Sequence, residues 1–145
     1  MLTYEFVSEK LHSGTFVKRP KVLIRLVGKK TSIEFWALLD SGSDISMIPK
    51  DIADSVGIDY DKNEGEKVYG FEKDAFSCAN CKMDLIFKSP KNSAEERLNN
   101  VPALIMLTDI ENDVILGCEG IFDQFKIIFD RRNKIIMRRV KTKNR

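Results

Sequence analysis

Apolar and polar residues alternate over short runs along most of the chain, a period of two that predicts strands. Val22-Leu23-Ile24-Arg25-Leu26-Val27 and Ile33-Glu34-Phe35-Trp36-Ala37-Leu38-Leu39 flank the turn-like stretch Gly28-Lys29-Lys30-Thr31-Ser32 and predict a hairpin. Weaker strands are predicted at residues 4–7 and 15–17, around Ser13-Gly14. Residues 45–48 predict another short strand. Residues 49–57 read as a short helix, with Pro49 near its start, Ile52, Ala53 and Val56 as its apolar positions and Gly57 at its end.

Further along, residues 59–66 are polar, and a second hairpin is predicted from residues 68–77 paired with 82–88. Residues 89–100 hold Pro90, two charge clusters and no sustained apolar period, so an exposed loop is expected there. A strand at 101–107, a turn at 109–113 and the apolar run Val114-Ile115-Leu116 follow. The last hairpin is predicted from residues 125–129 and 134–139 about Asp130-Arg131-Arg132-Asn133. No internal repeat and no linker divides the chain, so residues 1–145 read as a single domain whose basic end, about 140–145, is frayed. Many short strands with one or two short helices predict a mainly β fold, a closed or partly closed β barrel.

With 145 residues, 43% hydrophobic and 32% charged, the chain is long enough for a real core and too apolar to be disordered. The net charge of +2 says little about partners, because acids and bases are interleaved almost everywhere. The basic tail Arg138-Arg139-Val140-Lys141-Thr142-Lys143-Asn144-Arg145 could serve as a nucleic-acid or membrane arm. It lacks the interleaved aromatic residues that stack on bases, and a solvated terminus is the reading taken. No apolar run approaches the length of a membrane span, and residues 1–10 carry Glu5 and Glu9 without an apolar core like that of a secretory signal. The expectation is a cytoplasmic protein with neither membrane nor nucleic-acid partner.

Cys78-Ala79-Asn80-Cys81 has the C-x-x-C spacing of zinc and redox sites. A structural zinc site needs four ligands, and only Cys118 and the distant His12 remain to supply them. Reduced thiols are therefore expected, with a disulfide across a hairpin turn as the alternative and no metal or cofactor. Asp109, Glu111 and Asp113 alternate with Ile110 and Asn112, but a calcium loop would need more ligands and a glycine at its bend. They are read as a turn. Phe122, Phe125, Ile127 and Phe129 are expected in the core, Trp36 in the core or at a dimer interface, and His12 is incidental.

One stretch stands apart. The apolar run Phe35-Trp36-Ala37-Leu38-Leu39 leads straight into Asp40-Ser41-Gly42-Ser43. A carboxylate at the end of a buried strand is costly unless it is hydrogen-bonded or used. Gly42 permits a tight turn, and Ser41 and Ser43 supply short donors. An ordinary β-turn would use the same residue types, and such a tetrad arises by chance in roughly one chain of this length in a hundred. The second element, Val114-Ile115-Leu116-Gly117, is what an ordinary turn leaves unexplained.

Together the two elements resemble the retropepsin-like (clan AA) aspartic proteases, which carry D-[ST]-G-[ST] followed by an apolar-apolar-glycine element. Phe125-Lys126-Ile127-Ile128-Phe129-Asp130 and the strand after it are similar to the microbial and archaeal type, and the likeness spans about residues 22–139. It implies the closed-barrel acid-protease fold and an aspartic endopeptidase acting on an extended peptide or protein. Carboxylate-driven peptide hydrolysis uses a pair sharing one proton: one activates water while the other protonates the carbonyl oxygen. This chain has one such element, so Asp40 would meet Asp40 of a second copy across a twofold axis. The resemblance has Ser41 reach across that axis, Gly42 present its backbone to substrate, and Ser43 hydrogen-bond the outer oxygen of Asp40. Ile115, Leu116 and Gly117 would pack under the loop and line the pocket. Tyr69, Gly70 and Phe71 fall where the family has its flap hairpin. Asp44 would bind substrate backbone or serve as a polar turn residue. In dimeric viral relatives this position pairs with an arginine just after the glycine, where this chain has Cys118.

Two other classes stand beside the protease. One is a catalytically silent peptide-binding or assembly module that keeps the fold, against which the intact tetrad argues. The other is a zinc or redox protein built on Cys78 and Cys81.

Overall fold

A computed structural model gives the fold and describes residues 1–61, 66–69, 75–108 and 113–141, with backbone alone at 66–69 and 75–76. In chain order the strands are β1 (Leu2–Glu5), β2 (Val7–Lys10), β3 (Phe16–Arg19), β4 (Lys21–Val27), β5 (Ser32–Leu39) and β6 (Ser46–Pro49). The helix α1 (Lys50–Val56) comes next, then β7 (Glu66–Tyr69), β8 (Ala75–Lys88), β9 (Glu95–Met106) and β10 (Ile115–Leu116). A 3-10 turn (Phe122–Gln124) leads to β11 (Phe125–Asp130) and β12 (Lys134–Arg139).

The predicted β4–β5 hairpin forms, antiparallel from Lys21 opposite Leu38 to Val27 opposite Ser32. Its period of two sends Val22, Ile24 and Leu26 inward with Ala37 and Leu39, all buried. They join Ile48, Leu85, Phe87, Ile105, Leu116, Ile135 and Met137 in one core, each such side chain contributing about 1.5–3 kcal/mol. Helix α1 starts and stops where Pro49 and Gly57 predict, and its last turn receives the hairpin: Lys30 N–H donates to the Val56 carbonyl at 2.9 Å. The β11–β12 hairpin also forms as predicted.

The closed barrel does not. The described strands fall into three sheets: β4-β5-β10-β6-β9-β8-β7, β1-β12-β11 and the ribbon β2-β3. β4 pairs additionally with β8, which curls the large sheet over the core, but β7 remains at its edge and five strands stand in the two smaller sheets. Helical structure amounts to α1 and the 3-10 turn among the described residues.

Three local expectations also fail, each for a long-range reason. The turn expected near residues 78–81 is mid-strand: β8 runs unbroken against β9 from Cys78 opposite Met106 to Lys88 opposite Glu95, with an irregularity between Met83 and Leu85. Small residues Cys78 and Ala79 are buried there, which a surface turn would undo. Cys78 and Cys81 sit three apart on a strand, hence on opposite faces. They pack into different apolar clusters and are not disulfide-linked. Burial pushes the Cys81 thiol up to about 11, which opposes the thiolate that zinc or redox chemistry requires. The expected loop at 89–100 turns into strand from Glu95 onward, because Glu95 to Leu98 pair along β8 from Lys88 to Leu85; its exposed charges meet opposite charges across strands, Arg139 with Glu96 at 3.7 Å and Arg97 with Asp84 at 4.0 Å. Near the N-terminus, strand is broken at Phe6, whose N–H donates to the Asn133 carbonyl, so β1 pairs with β12 while β2 pairs with β3.

Phe129 is 41% exposed rather than core, its ring edge-on to Phe6 at 6.4 Å, whereas Phe125 is buried. Trp36 is 39% exposed and edge-on to Tyr4. Among the described residues no helix is long and apolar enough to cross a membrane. The predicted turn at 109–113 lies outside the described residues except for Asp113.

Lys21 opens β4 almost wholly buried, and its ammonium pairs with Glu9 on β2 and with Asp113 at 3.2 Å. Burial opposes its charge, but the hydrogen bonds to Glu9 and Asp113 outweigh burial and hold its pKa above the ordinary 10.5. A pKa raised on folding adds stability that is complete below the unfolded value and lost as pH rises through the folded one. Lys21→Met should therefore narrow its stability deficit relative to wild type as pH climbs above 10.5, the ordinary lysine value; parallel urea melts across that range check it, and a constant deficit refutes it.

Tyr4 is fully buried, its hydroxyl has no hydrogen-bond partner among the described residues, and burial raises its pKa. An unpaired buried hydroxyl costs desolvation. Tyr4→Phe should leave stability unchanged or raise it by up to about 1 kcal/mol; a measured loss beyond that would reveal a partner.

Candidate active site

β5 delivers Asp40 to the surface along a fixed track. On one side Leu39 N–H donates to the Pro20 carbonyl, and on the other Leu38 N–H donates to Val114 and Asp40 N–H to Leu116, at 2.9–3.0 Å. β5 and β10 run parallel, Ile115 opposite Leu38 and Leu116 opposite Leu39. Past the strand the chain turns back, Ser43 N–H donating to the Asp40 carbonyl at 3.2 Å. Gly42 N–H donates to Asp40 Oδ1 at 2.9 Å, so the loop's own backbone orients the carboxylate. Asp40 is half-buried while Ser41 and Gly42 are exposed: the acid stands at the rim of the core with one oxygen anchored.

The Ser43 hydroxyl donates to the Ile45 carbonyl at 2.7 Å, using its only proton to brace the loop rather than the acid.

A second layer lies beneath. Leu116 and Gly117 are buried, and Gly117 N–H donates to the buried Ser46 hydroxyl at 3.0 Å. Cys118 N–H donates to Ser43 and Glu119 N–H to Asp44, both at 2.9 Å. The Cys118 thiol donates to the Ser41 carbonyl at 3.3 Å. The two sequence elements are thus laced together, and Gly117 is where they touch: a Cβ there would lie 2.6 Å from the Ile45 carbonyl and 2.7 Å from Ser43 O. Ile115, Leu116 and Gly117 support the loop from below. Asp44 is exposed, and the position that bears an arginine in viral relatives holds a thiol turned to its own loop.

Beside Asp40 opens a cleft of about 570 Å³. Its walls are the segment from Val17 to Pro20, Phe6, Leu39, Ser41, and the β11–β12 turn with Phe129, Arg131 and Arg132; among the described residues Asp40 is the one acid in the lining. Sequence reasoning missed Phe6, Lys18, Arg19, Arg131 and Arg132, since nothing local announces that β3 and the last turn meet at Asp40. Tyr69 ends β7 opposite Ala75 on β8; Gly70 and Phe71 lie outside the described residues.

The Gly117 contact makes a test. Gly117→Ala must push apart backbone on both sides, and should cost about 1–3 kcal/mol of stability. Denaturant melts measure it; an unchanged midpoint would show that the two loops are not held together at this point.

The aspartyl protease family model matches residues 25–119, more than half of the chain and including both Asp40 and Gly117. Among solved structures, a retropepsin-like aspartic protease from Rickettsia conorii is similar over 93% of this chain and 91% of its own, at 15% identity and a TM-score of 0.50. EIAV protease, solved in complex with the inhibitor HBY-793, is similar over 77% of this chain and 88% of its own, at 19% identity and a TM-score of 0.40. No curated protein matches the sequence. With Asp40 at the end of its strand and the glycine element locked beneath it, the chain belongs to the aspartyl protease family and has the retropepsin-like fold.

Proposed function

We propose that this protein is a homodimeric aspartic endopeptidase. What carries the reading is the Asp40 carboxylate, presented at the mouth of a cleft and oriented by Gly42 N–H over a floor fixed by Gly117. One carboxylate cannot both take a proton from water and give one to the carbonyl oxygen. The second is supplied by Asp40 of another copy, across a twofold axis that makes the contact isologous. The pair shares one proton, so at any moment one member is base and the other acid. Ser41, exposed beside Asp40, faces the partner's loop; Gly42 offers backbone to the peptide. The paired strands β7 and β8 close over the substrate as the flap, excluding water, and Tyr69, Gly70 and Phe71 serve as substrate-binding residues. Asp44 reaches the substrate backbone. Three cysteines outside disulfides fit a reducing, cytoplasmic setting.

A module that binds peptides without cleaving them is the second reading. Two observations favour it: the Ser43 hydroxyl donates to the Ile45 carbonyl and not to the Asp40 carboxylate, and position 118 holds a cysteine whose thiol donates to its own loop. Asp40→Asn separates the two. It keeps shape and the hydrogen bond from Gly42, so the variant should fold and sediment as wild type while losing at least about a thousandfold in peptide cleavage. Cleavage retained by the purified variant would end the proteolytic reading.

A further inference from the structure

The cleft beside Asp40 is walled by cations out of proportion to the chain. Overall, basic and acidic residues nearly balance, 24 against 22. Among the described residues lining this cleft, Lys18, Arg19, Arg131 and Arg132 stand with a single acid, Asp40. A second, shallower cleft of about 420 Å³ shares Lys18, Arg131 and Arg132 and adds Asn133, so the basic wall continues outward from the acid. Local acids cover part of it: Glu9 lies 3.7 Å from Arg19, and Asp130 lies 3.1 Å from Arg131. Neither acid lines the cleft. Lys18 and Arg132 are exposed, and among the described residues no ion pair engages them. Phe6 and Phe129, their rings edge-on, line the same cleft.

Aromatic rings and two cations without an ion pair among the described residues, brought into one lining, suit a side chain with a methylene stem and an anionic end. We propose that this cleft is a substrate subsite for an acidic side chain, glutamate above all, held by Lys18 and Arg132 close to the scissile bond. The proposal rests on the endopeptidase reading and adds its substrate class. A charged partner for these cations gains from Coulomb attraction at the surface and loses it in salt. The neutral isostere glutamine fills the same space without the attraction.

The test digests a randomised peptide library with the wild-type protein and sequences the products, then compares matched Glu, Gln and Lys peptides at the position found. Glutamate should be enriched within a few residues of the cut. The Glu peptide should exceed the Gln peptide about tenfold in kcat/KM at low salt, an advantage that shrinks several-fold in about 0.5 M salt. The double variant Lys18→Glu with Arg132→Glu should invert the order, cleaving the Lys peptide ahead of the Glu peptide. That inversion is a gain that a misfolded variant cannot produce. Cleavage without acidic preference, or a preference indifferent to salt, overturns the subsite and leaves the endopeptidase standing. A folded, active variant that still prefers Glu does the same. Absence of any cleavage by wild type overturns the endopeptidase reading and the subsite with it.

Discussion

The candidate site depends on one crossing of backbone. β5 and β10 run side by side in parallel, so the residues that leave their ends emerge together, Asp40 from one and Gly117 from the other. Strand pairing ends there, yet the hydrogen bonds continue: Asp40 N–H to Leu116, Gly117 N–H to Ser46, Cys118 N–H to Ser43. Donors left over at the end of a parallel pair would otherwise be buried unpaired. Leu116 on β10, Ser46 at the start of β6 and Ser43 in the Asp40 loop accept them, so the loop is tied to the strands on both sides. Only glycine fits at position 117, because any Cβ would enter the Ile45 carbonyl. Stability and orientation of the acid are thus one problem with one solution.

This explains why the site was legible in the sequence although parts of the fold were not. Asp40, Gly42 and Gly117 mark themselves locally: an acid after an apolar run, a glycine at a turn, a glycine closing a second apolar run. The β4–β5 and β11–β12 hairpins were legible for the same reason, their turns and periods being contiguous. β8 was not, since Cys78-Ala79-Asn80-Cys81 carries turn-like and metal-like residues, and only the full-length partner β9 keeps it extended. Residues 95–100 hid their strand behind charges that pair across strands and leave no apolar period. Closure was misjudged because strand count says nothing about which strands pair. The termini chose each other, β1 with β12, and took β11 with them out of the large sheet.

The same long-range pairings build the basic wall. β2 and β3 pair only with each other, and Lys21 fastens that ribbon to the sheet by holding Glu9 on one side and Asp113 on the other. Phe6 fastens the opposite end, its N–H on Asn133 and its ring against Phe129. Between these ties the β3 cations and the β11–β12 turn come to lie across the cleft from each other. In the sequence Lys18 and Arg132 are separated by most of the chain, and each looks like a solvated residue near a strand end. Their meaning comes from the cleft they share with Asp40.

A twofold assembly would place such a wall on each side of the paired acids. A peptide has a direction, however, and symmetry-related subsites see different residues of it, one before the cut bond and one after. A single glutamate therefore suffices to engage one wall, while the other remains open to water or to a second acid farther along. In such an assembly, binding would break the symmetry that the proposed catalytic pair requires. The cations stand on a β strand and a tight turn outside the 40–46 loop, so engaging one wall does not require the hydrogen bonds beneath either acid to change. In the proposed endopeptidase, recognition and chemistry would then be mounted on different elements of the fold, meeting where Asp40 and Ser41 line the cleft.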